Sequence, residues 1–382
     1  MTLLTASQAA TFADLAYDTA ASGDTASTTW RAKASLAALQ KNGPTPADMS
    51  DFTTLSGFTG ASGAFGLRDV TGFGAAFERK SSKRELIIAF RGTVSAFDWV
   101  SNFNIGMEPG PGGAIVHSGF NRVYNALQDE LYALIAKANP EILHFVGHSL
   151  GGSMATLAMA DFGLSANGRT CHLYTFGTPR IGGFALNSQL RSVLTPSSVR
   201  RVYSVSDPVP MIPLLPFQHF TAGATGLDFG FALITPKAHD RITYRNRMPA
   251  DGWPPITPLA VKSDPAYWLG MAERAQGFST MGYHALSMAL AGIMSMLNIG
   301  GLALSGGITV LDRLAEALVN AAHIARNMAE MTLRFVKAAL RLVNRAAIGA
   351  AVTTADLTQD FLRLVLDMLI APIQRAARQA LA

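Results

Sequence analysis

Cysteine is almost absent from this chain, since Cys171 is the only one among 382 residues. No disulfide can form within the chain, and a metal site built from cysteines is excluded. A lone cysteine is typical of proteins that fold in a reducing compartment, and many exported bacterial proteins also lack disulfides. No His-Glu-x-x-His or similar ligand spacing occurs either, so we expect no metal ion.

Charged residues are also scarce, at 15% of the chain, while hydrophobic residues make up 49%. This composition is apolar for a soluble protein but too polar for one that crosses a membrane many times. The formal net charge of +5 mildly favours anionic surfaces. Lysine and arginine do not alternate with aromatic residues in any cluster, and no zinc-finger spacing occurs, so we expect no nucleic acid partner.

The N-terminal segment, residues 1–21, contains no lysine or arginine and includes Asp14 and Asp18. It also lacks a continuous apolar core, so it does not have the pattern of a secretory signal peptide. We therefore expect a cytoplasmic protein, or one exported by a secretion machine that needs no such signal.

The apolar pattern predicts a protein that mixes strands and helices. Helices are expected near residues 7–21 and 30–41, and residues 53–66, rich in Gly, Ser and Thr, are expected to form a loop. A polar turn between two apolar stretches predicts a β-hairpin over 72–78 and 85–90. Three further short apolar runs are separated by helical or irregular stretches: 142–146, 172–176 and 199–205. This alternation predicts an α/β fold with a largely parallel sheet.

The sequence divides into two predicted units. Residues 1–285 contain the alternating strands and helices. Within them, residues 208–281 are rich in Pro, Gly and aromatics and have little periodicity, which predicts an irregular cap or loop excursion. Residues 286–382 have a hydrophobic or amphipathic helical pattern, which predicts an all-helical C-terminal region.

The stretch Gly147-His148-Ser149-Leu150-Gly151 has the G-x-S-x-G spacing of a nucleophile elbow. It follows the apolar run 142–146 and precedes a helix-like stretch at 153–162, which is the context that this motif requires. The glycines leave room for strand and helix to approach each other, and the helix N-terminus favours negative charge. We therefore expect Ser149 to be a catalytic nucleophile.

Attack of Ser149 on an ester would create an oxyanion, which requires two hydrogen-bond donors already in place. One is expected to be the backbone N–H of Leu150, directly after the nucleophile. The second is expected from Phe90-Arg91-Gly92-Thr93, at the end of a hairpin strand. There Gly92 permits a tight bend, and Thr93 offers an N–H and a hydroxyl.

These motifs, in this order, resemble the class 3 lipases, the fungal lipase-like family, over about residues 70–285. The resemblance rests on the following stretches: Phe90-Arg91-Gly92-Thr93, Asp98-Trp99, His117-Ser118-Gly119-Phe120, Gly147–Gly152, Thr175–Gly182 and Asp207-Pro208-Val209-Pro210. It implies an α/β-hydrolase fold with a mostly parallel central sheet, a triad in the order Ser, Asp, His, and an oxyanion hole at Thr93 and Leu150. It also implies a mobile lid, which by position falls near residues 98–113.

Asp207 is the expected acid of that triad. It follows the predicted strand 199–205 and precedes Pro208, so it lies at the carboxyl end of a strand, where the catalytic groups of α/β sheets gather. The family's Asp-x-Val-Pro pattern falls on the same residue. A carboxylate there would orient the catalytic histidine and stabilise its positive charge.

The histidine of the triad is harder to choose, because His219, His239, His284 and His323 all follow Asp207. His284 opens a helix-like run, as the family's catalytic histidine often does, and we select it as the base. Its separation from Asp207 along the chain is longer than is usual in the family, so His239 and His219 stay open as alternatives. His219 matches a family position that is usually structural.

The C-terminal region does not resemble the family. The uncharged stretch 285–311 is long enough to cross a bilayer, but its glycine pairs weaken a helix. Further on, Arg334, Lys337, Arg341 and Arg345 recur at helical spacing and share one face. Such a face suits an anionic membrane interface or the surface of a helical bundle. Our hypothesis is a helical appendage that docks the protein on lipid or on a protein partner.

The sequence as a whole predicts a serine esterase, a lipase or phospholipase A, that hydrolyses carboxylic ester bonds of lipids through an acyl-enzyme. This chemistry needs no cofactor. Two other classes stay open: a non-catalytic lipid-binding or scaffold protein on a hydrolase fold, and an acyltransferase that uses an alcohol instead of water. Composition does not distinguish glycerides from phospholipids, nor the acyl position that is cut.

Overall fold

The structure is a computed structural model. It describes residues 3–21, 23–41, 47–62, 69–92, 106–165, 168–195, 197–213, 217–220, 222–231, 233–256, 264–275, 277–296 and 310–381. Within these ranges the chain forms a seven-stranded sheet with helices on both faces, and a two-stranded sheet.

The strands lie, in chain order, at β1 Phe52–Ser62, β2 Asp69–Arg79, β3 Ser82–Phe90, β4 Met107–Pro109, β5 Ile115–His117, β6 Ile142–His148, β7 Thr170–Phe176, β8 Val199–Ser204 and β9 Ala224–Leu227. The large sheet has the order β1-β2-β3-β6-β7-β8-β9. The first three strands pair antiparallel, and the other neighbours pair parallel. The carboxyl ends of parallel strands meet at one edge, where α/β proteins place their sites. The predicted α/β-hydrolase fold is confirmed.

One local prediction is wrong, because β1 occupies most of the stretch 53–66 that was expected to form a loop. Phe52 and Phe58 are buried in this strand, and the threonines between them suit a pleated surface. The strand adds a third antiparallel member to the hairpin β2–β3. Its many small residues conceal the alternation of apolar and polar positions by which a strand is normally recognised.

The helices lie at α1 Ala6–Leu15, α2 Thr25–Lys41, α3 Ser118–Ala138, α4 Leu150–Leu164, α5 Phe184–Val193, α6 Arg241–Arg247, α7 Pro265–Arg274, α8 Thr280–Met296, α9 Val310–Ile324, α10 Arg326–Leu342, α11 Ala346–Ala351 and α12 Gln359–Leu381. The stretch 208–281, expected to be irregular, thus contains β9, α6 and α7. The helical pattern predicted for the C-terminal region corresponds to α8 through α12.

The helix α1 covers one face of the sheet together with α2 and α6. It begins with a capping box, in which the Thr5 hydroxyl accepts the N–H of Gln8 and the Gln8 side chain accepts the N–H of Thr5. On its buried side the ring of Phe12 lies 4.9 Å from that of Phe52. At its end, Asp14 forms ion pairs with two arginines of α6. These contacts hold the N-terminal helix against the sheet and against α6.

The opposite face of the sheet is covered by α3, α4 and α5, and the C-terminal helices extend the same hydrophobic core. Leu157 of α4, Phe335 of α10 and Leu366 of α12 belong to one continuous cluster of buried side chains. The helix α12 also contacts two short 3₁₀ helices, Val209–Met211 and Pro236–His239. In the part of the chain that the structure describes, the C-terminal helices are therefore packed on the sheet domain rather than held away from it.

The basic face of α10 is partly used within the protein. The Arg334 guanidinium donates two hydrogen bonds, of 2.7 and 2.9 Å, to the Glu273 carboxylate of α7. Arg341 donates to the backbone carbonyl of the same residue. For these two arginines the contacts favour the surface of a helical bundle over a membrane interface.

The apolar stretch 285–311 forms α8 as far as Met296. Residues 297–309 lie outside the described residues. Leu286, Leu290 and Ile293 of α8 are buried in the shared core. None of the helices that the structure describes has both the length and the apolarity needed to cross a bilayer.

Two leucines of α12 provide a matched test of the shared core. Leu366 is 0% exposed and Leu364 is 53% exposed. Leu366→Ala removes buried methyl groups and leaves a cavity, so we expect the free energy of unfolding to fall by about 2–5 kcal/mol. Leu364→Ala is expected to change it by less than about 0.5 kcal/mol. Urea unfolding followed by circular dichroism measures both, and equal effects would contradict the packing of α12.

Candidate active site

Ser149 lies on a strained turn between β6 and α4. Its backbone has φ 59° and ψ −127°, a conformation that a residue with a β-carbon rarely adopts. Its N–H donates to the carbonyl of Phe176 on β7 at 2.9 Å, which holds the turn against the sheet. The side chain hydroxyl thus stands above the carboxyl ends of the strands, as in a nucleophile elbow.

The glycines beside Ser149 are required by close backbone contacts. A β-carbon on Gly147 would lie 2.2 Å from backbone atoms of Gly151. A β-carbon on Gly151 would lie 2.1 Å from the carbonyl oxygen of Phe90 at the end of β3. The elbow, the start of α4 and the end of β3 therefore approach each other as closely as the backbone allows.

The structure places His239, and not His284, beside Ser149 and Asp207. Its Nε2 is 2.8 Å from the Ser149 Oγ, and its Nδ1 is 2.8 Å from the Asp207 Oδ2. His239 ends the short 3₁₀ helix Pro236–His239, between β9 and α6. All three side chains are buried, with exposures of 1% for Ser149, 3% for His239 and 0% for Asp207.

His284, the histidine selected from the sequence, lies on α8 and packs elsewhere. Its ring meets the edge of the Trp268 ring at 5.4 Å between centroids. Burial, and to a smaller extent Arg180, lower the pKa of His284 to about 4. The other alternative, His219, donates from Nε2 to the backbone carbonyl of Pro210. The helix α8 begins at Thr280, before His284, and it belongs to the hydrophobic core and not to the edge of the sheet that carries the elbow.

A weak sequence signal for His239 was available in the residue that follows it. Asp240 caps α6, because its carboxylate accepts the N–H of Thr243 at 2.7 Å. A histidine directly before such a cap is held by a fixed turn, which is how loops place catalytic groups on a rigid scaffold. The irregular composition of 208–281 concealed this short helix.

Asp207 is a buried carboxylate that accepts three hydrogen bonds. Its Oδ1 accepts the N–H of Val209 at 2.9 Å, and its Oδ2 accepts from His239 and from the hydroxyl of Tyr244 at 2.7 Å. Such donors compensate the loss of water around the charge. Asp207 follows β8, as the sequence predicts.

Tyr244 is a residue of this site that the sequence analysis missed. Its hydroxyl donates to Asp207 and accepts the N–H of Ser204 at 2.7 Å. Burial, followed by the nearby Asp207 charge, raises the pKa of Tyr244 well above its usual value. The phenol therefore stays protonated and remains a donor at any physiological pH.

His148, inside the elbow, packs against the histidine of the site. Its ring lies 4.6 Å from that of His239. Its Nδ1 lies 2.7 Å from the Tyr17 hydroxyl. Burial, and next the charge of His239, lower the pKa of His148 well below its usual value, so its ring stays neutral. A neutral neighbour supports the His239 ring without repelling a positive charge that forms on it.

The residues predicted for the oxyanion hole are described only in part. Leu150 is the first residue of α4, and a backbone N–H at that position has no acceptor within the helix. Thr93 lies outside the described residues. Gly92, just before it, is close to the elbow, since a β-carbon there would lie 3.1 Å from the carbonyl oxygen of His148. Of the predicted lid, 98–113, only residues 106–113 are described.

The described residues contain no group of three or more His, Cys, Asp or Glu side chains arranged to hold a metal ion.

Residues 87–217 match the family described as Lipase (class 3). The chain is 33% identical over 156 residues to secreted mono- and diacylglycerol lipase 1 of Fusarium solani, covering 39% of this chain and 45% of that protein. It is 27% identical over 169 residues to phospholipase A1-IIalpha of Arabidopsis thaliana, covering 35% of this chain and 40% of that protein. The chain thus spans less than half of the length of these relatives.

Among solved structures, the chain is similar to a lipase from Rhizopus microsporus var. chinensis, with 26% identity and a TM-score of 0.35. That similarity covers 43% of this chain and 57% of the other. For the Lip2 lipase of Yarrowia lipolytica the identity is 19% and the TM-score 0.42, over 59% of this chain and 79% of the other.

The sheet order and the strand–turn–helix around Ser149 define an α/β-hydrolase. The sequence comparisons are more specific. The resemblance to the class 3 lipases is confirmed, since residues 87–217 match that family and fungal lipases are among the similar proteins.

The close contact at Gly151 gives a stability test of the elbow. Gly151→Ala places a β-carbon against the Phe90 carbonyl, so we expect the free energy of unfolding to fall by about 1–3 kcal/mol. Gly270→Ala is the control, because on α7 the nearest atom to a new β-carbon is a terminal guanidinium nitrogen of Arg274 at 3.6 Å. That change is expected to be neutral or to stabilise by up to about 1 kcal/mol. Thermal unfolding measures both, and a tolerated Gly151→Ala would argue against this geometry.

Proposed function

We propose that this protein is a serine esterase that hydrolyses carboxylic ester bonds of lipids. In this proposal Ser149 is the nucleophile, His239 the general base and Asp207 the acid that orients it. The observation that carries the proposal is the unbroken set of hydrogen bonds from Asp207 through His239 to Ser149, each of 2.8 Å, at the elbow. Three residue types in this contact form the activated nucleophile of acyl-transfer enzymes.

Each residue has a defined part in the proposed reaction. The Ser149 hydroxyl transfers its proton to the Nε2 of His239 while the oxygen attacks the ester carbonyl. His239 then gives that proton to the leaving alcohol, which leaves an acyl group on the serine. A water molecule, deprotonated by the same histidine, releases the acid. Asp207 stabilises the positive charge on His239 in both halves of the reaction, and Tyr244 keeps Asp207 in place.

The negative charge on the carbonyl oxygen also needs donors. The N–H of Leu150 is suited to this part, because it belongs to the unpaired first turn of α4, where the helix dipole also favours negative charge. Thr93 would supply the second donor, as the resemblance to class 3 lipases implies.

The names of the relatives support the proposed substrate class, and burial of the site indicates how a substrate would reach it. Proteins named as a mono- and diacylglycerol lipase and a phospholipase A1 match this chain, and both names describe cleavage of acyl esters of lipids. Ser149 is 1% exposed, so a substrate carbonyl reaches it only after the surrounding residues move. We therefore expect activity to increase in the presence of a lipid or detergent interface.

Ester turnover by wild type and Ser149→Ala tests the proposal. We compare turnover, with and without detergent, of three kinds of substrate: p-nitrophenyl esters of short and long chain, a monoacylglycerol and a fluorogenic phospholipid. We expect Ser149→Ala to lower kcat by about four orders of magnitude or more. Ser192→Ala, on the exposed side of α5, is the control and is expected to keep wild-type rates.

Two outcomes would redirect the proposal. If wild type cleaved none of these esters even at an interface, a lipid-binding protein on a hydrolase fold would replace the enzyme. If products formed in the presence of an acceptor alcohol were mainly new esters, the protein would be an acyltransferase. The ratio of glyceride to phospholipid turnover assigns the substrate class.

Tyr244→Phe tests whether the phenol positions the acid. The change leaves the ring but removes one of three hydrogen bonds to Asp207, so we expect kcat to fall about 10-fold. KM should stay unchanged, because Tyr244 acts through Asp207. Tyr132→Phe is a matched control, since Tyr132 donates to a different aspartate, Asp161, away from the elbow. An unchanged kcat in Tyr244→Phe would remove the phenol from the mechanism.

A further inference from the structure

A small cavity lies between the sheet, α5 and the segment 217–220. Its volume is about 20 Å³, which is comparable to the space needed by one water molecule. Its lining includes the following polar side chains: Thr156, Thr175, Thr178, Asn187, Arg201, Gln218 and His219. These residues do not include the nucleophile, histidine or acid proposed above.

Arg201 is the charged residue of this lining. It comes from β8 and is 7% exposed. Its Nε donates to the backbone carbonyl of Phe220 at 3.3 Å, and its guanidinium lies 4.6 Å from the centre of the Tyr203 ring. Its Nη1 is buried and makes no hydrogen bond within the described residues. The same is true of the Thr178 hydroxyl on the cavity wall.

The charge of Arg201 has no acidic partner in the part of the chain that the structure describes. No carboxylate there comes within ion-pair distance of Arg201 or of its neighbour Arg180. An isolated buried charge is strongly unfavourable unless an opposite charge accompanies it.

The other ionisable side chain in the cavity lining, His219, is also a base. Burial, followed by the charges of Arg201 and Arg180, lowers the pKa of His219 well below its usual value. Burial lowers the pKa of Arg201 to about 10, which still leaves it positive at neutral pH. With its lowered pKa the His219 ring is neutral, and its Nε2 donates to the Pro210 carbonyl. The surroundings of the cavity carry two positive charges and no negative one among the described residues.

We propose that this cavity binds a small inorganic anion of the size of chloride, held by the Arg201 Nη1 and the Thr178 hydroxyl. An anion there would supply the hydrogen-bond acceptor that both groups lack and would neutralise the buried guanidinium. The space is about that of one water molecule, which suits a single small ion better than a lipid headgroup. The proposal does not depend on the esterase activity.

Anion dependence of thermal stability is the first test. Wild type is heated in sodium chloride, in sodium bromide and in sodium gluconate at matched ionic strength. We expect the Tm to rise saturably in chloride and bromide by about 2 °C relative to gluconate, because the ion binds the folded state only. Equal Tm values in all three salts would overturn the proposal.

Variants of two arginines on β8 test where the ion that changes the Tm binds. Arg201→Gln should abolish the dependence on chloride. Arg200→Gln should keep it, because the neighbouring Arg200 lies near Trp253, with 5.8 Å from its guanidinium to that ring. If both variants kept the dependence, the ion would bind elsewhere and the proposed site would be wrong.

Anomalous diffraction from a wild-type crystal soaked in bromide tests the site without a variant. We expect an anomalous peak beside the Arg201 Nη1 and Thr178 Oγ1. An ordered water in the cavity, with no anomalous signal, would overturn the proposal even if Arg201→Gln failed to fold.

Discussion

The buried carboxylate of Asp207 is the charge on which the arrangement of the proposed active site depends. It is fully removed from water and depends on three donors that come from different parts of the chain. Val209 follows β8 directly, His239 ends a short helix after β9, and Tyr244 belongs to α6. Removal of any of these donors leaves a buried charge less compensated, which links the stability of the fold to the geometry of the site.

The helices at the two ends of the chain contact the elements that carry the residues around Asp207. At the N-terminus, Asp14 of α1 pairs with arginines of α6, the helix that carries Tyr244. At the C-terminus, α12 contacts the 3₁₀ helices that carry Val209 and His239. Much of the hydrophobic excess of the composition lies in these C-terminal helices, where it forms core with the sheet domain. They are therefore a support for the proposed catalytic histidine, in addition to any contact with lipid or a partner.

The sequence predicted the parts of the site that are local. The strand, glycine elbow and helix around Ser149 are neighbours along the chain, and Asp207 follows a strand whose apolar run is evident. His239 could not be selected in this way, because its contact with Ser149 joins residues 90 positions apart and is decided by tertiary packing. Tyr244 gave no signal for the same reason. β1 was missed because its glycines and serines obscure the apolar alternation, although pairing with β2 stabilises the strand.

The rate at which a p-nitrophenyl alkylphosphonate labels Ser149 tests most directly that His239 activates the serine. The serine oxygen displaces nitrophenolate from phosphorus, so release of nitrophenol reports the activated nucleophile whatever the natural substrate is, and mass spectrometry identifies the labelled residue. The account predicts that His284→Ala is labelled at the wild-type rate. It predicts that the labelling rate of His239→Ala is lower than that of wild type by about 100-fold or more. Normal labelling of His239→Ala together with slow labelling of His284→Ala would contradict it.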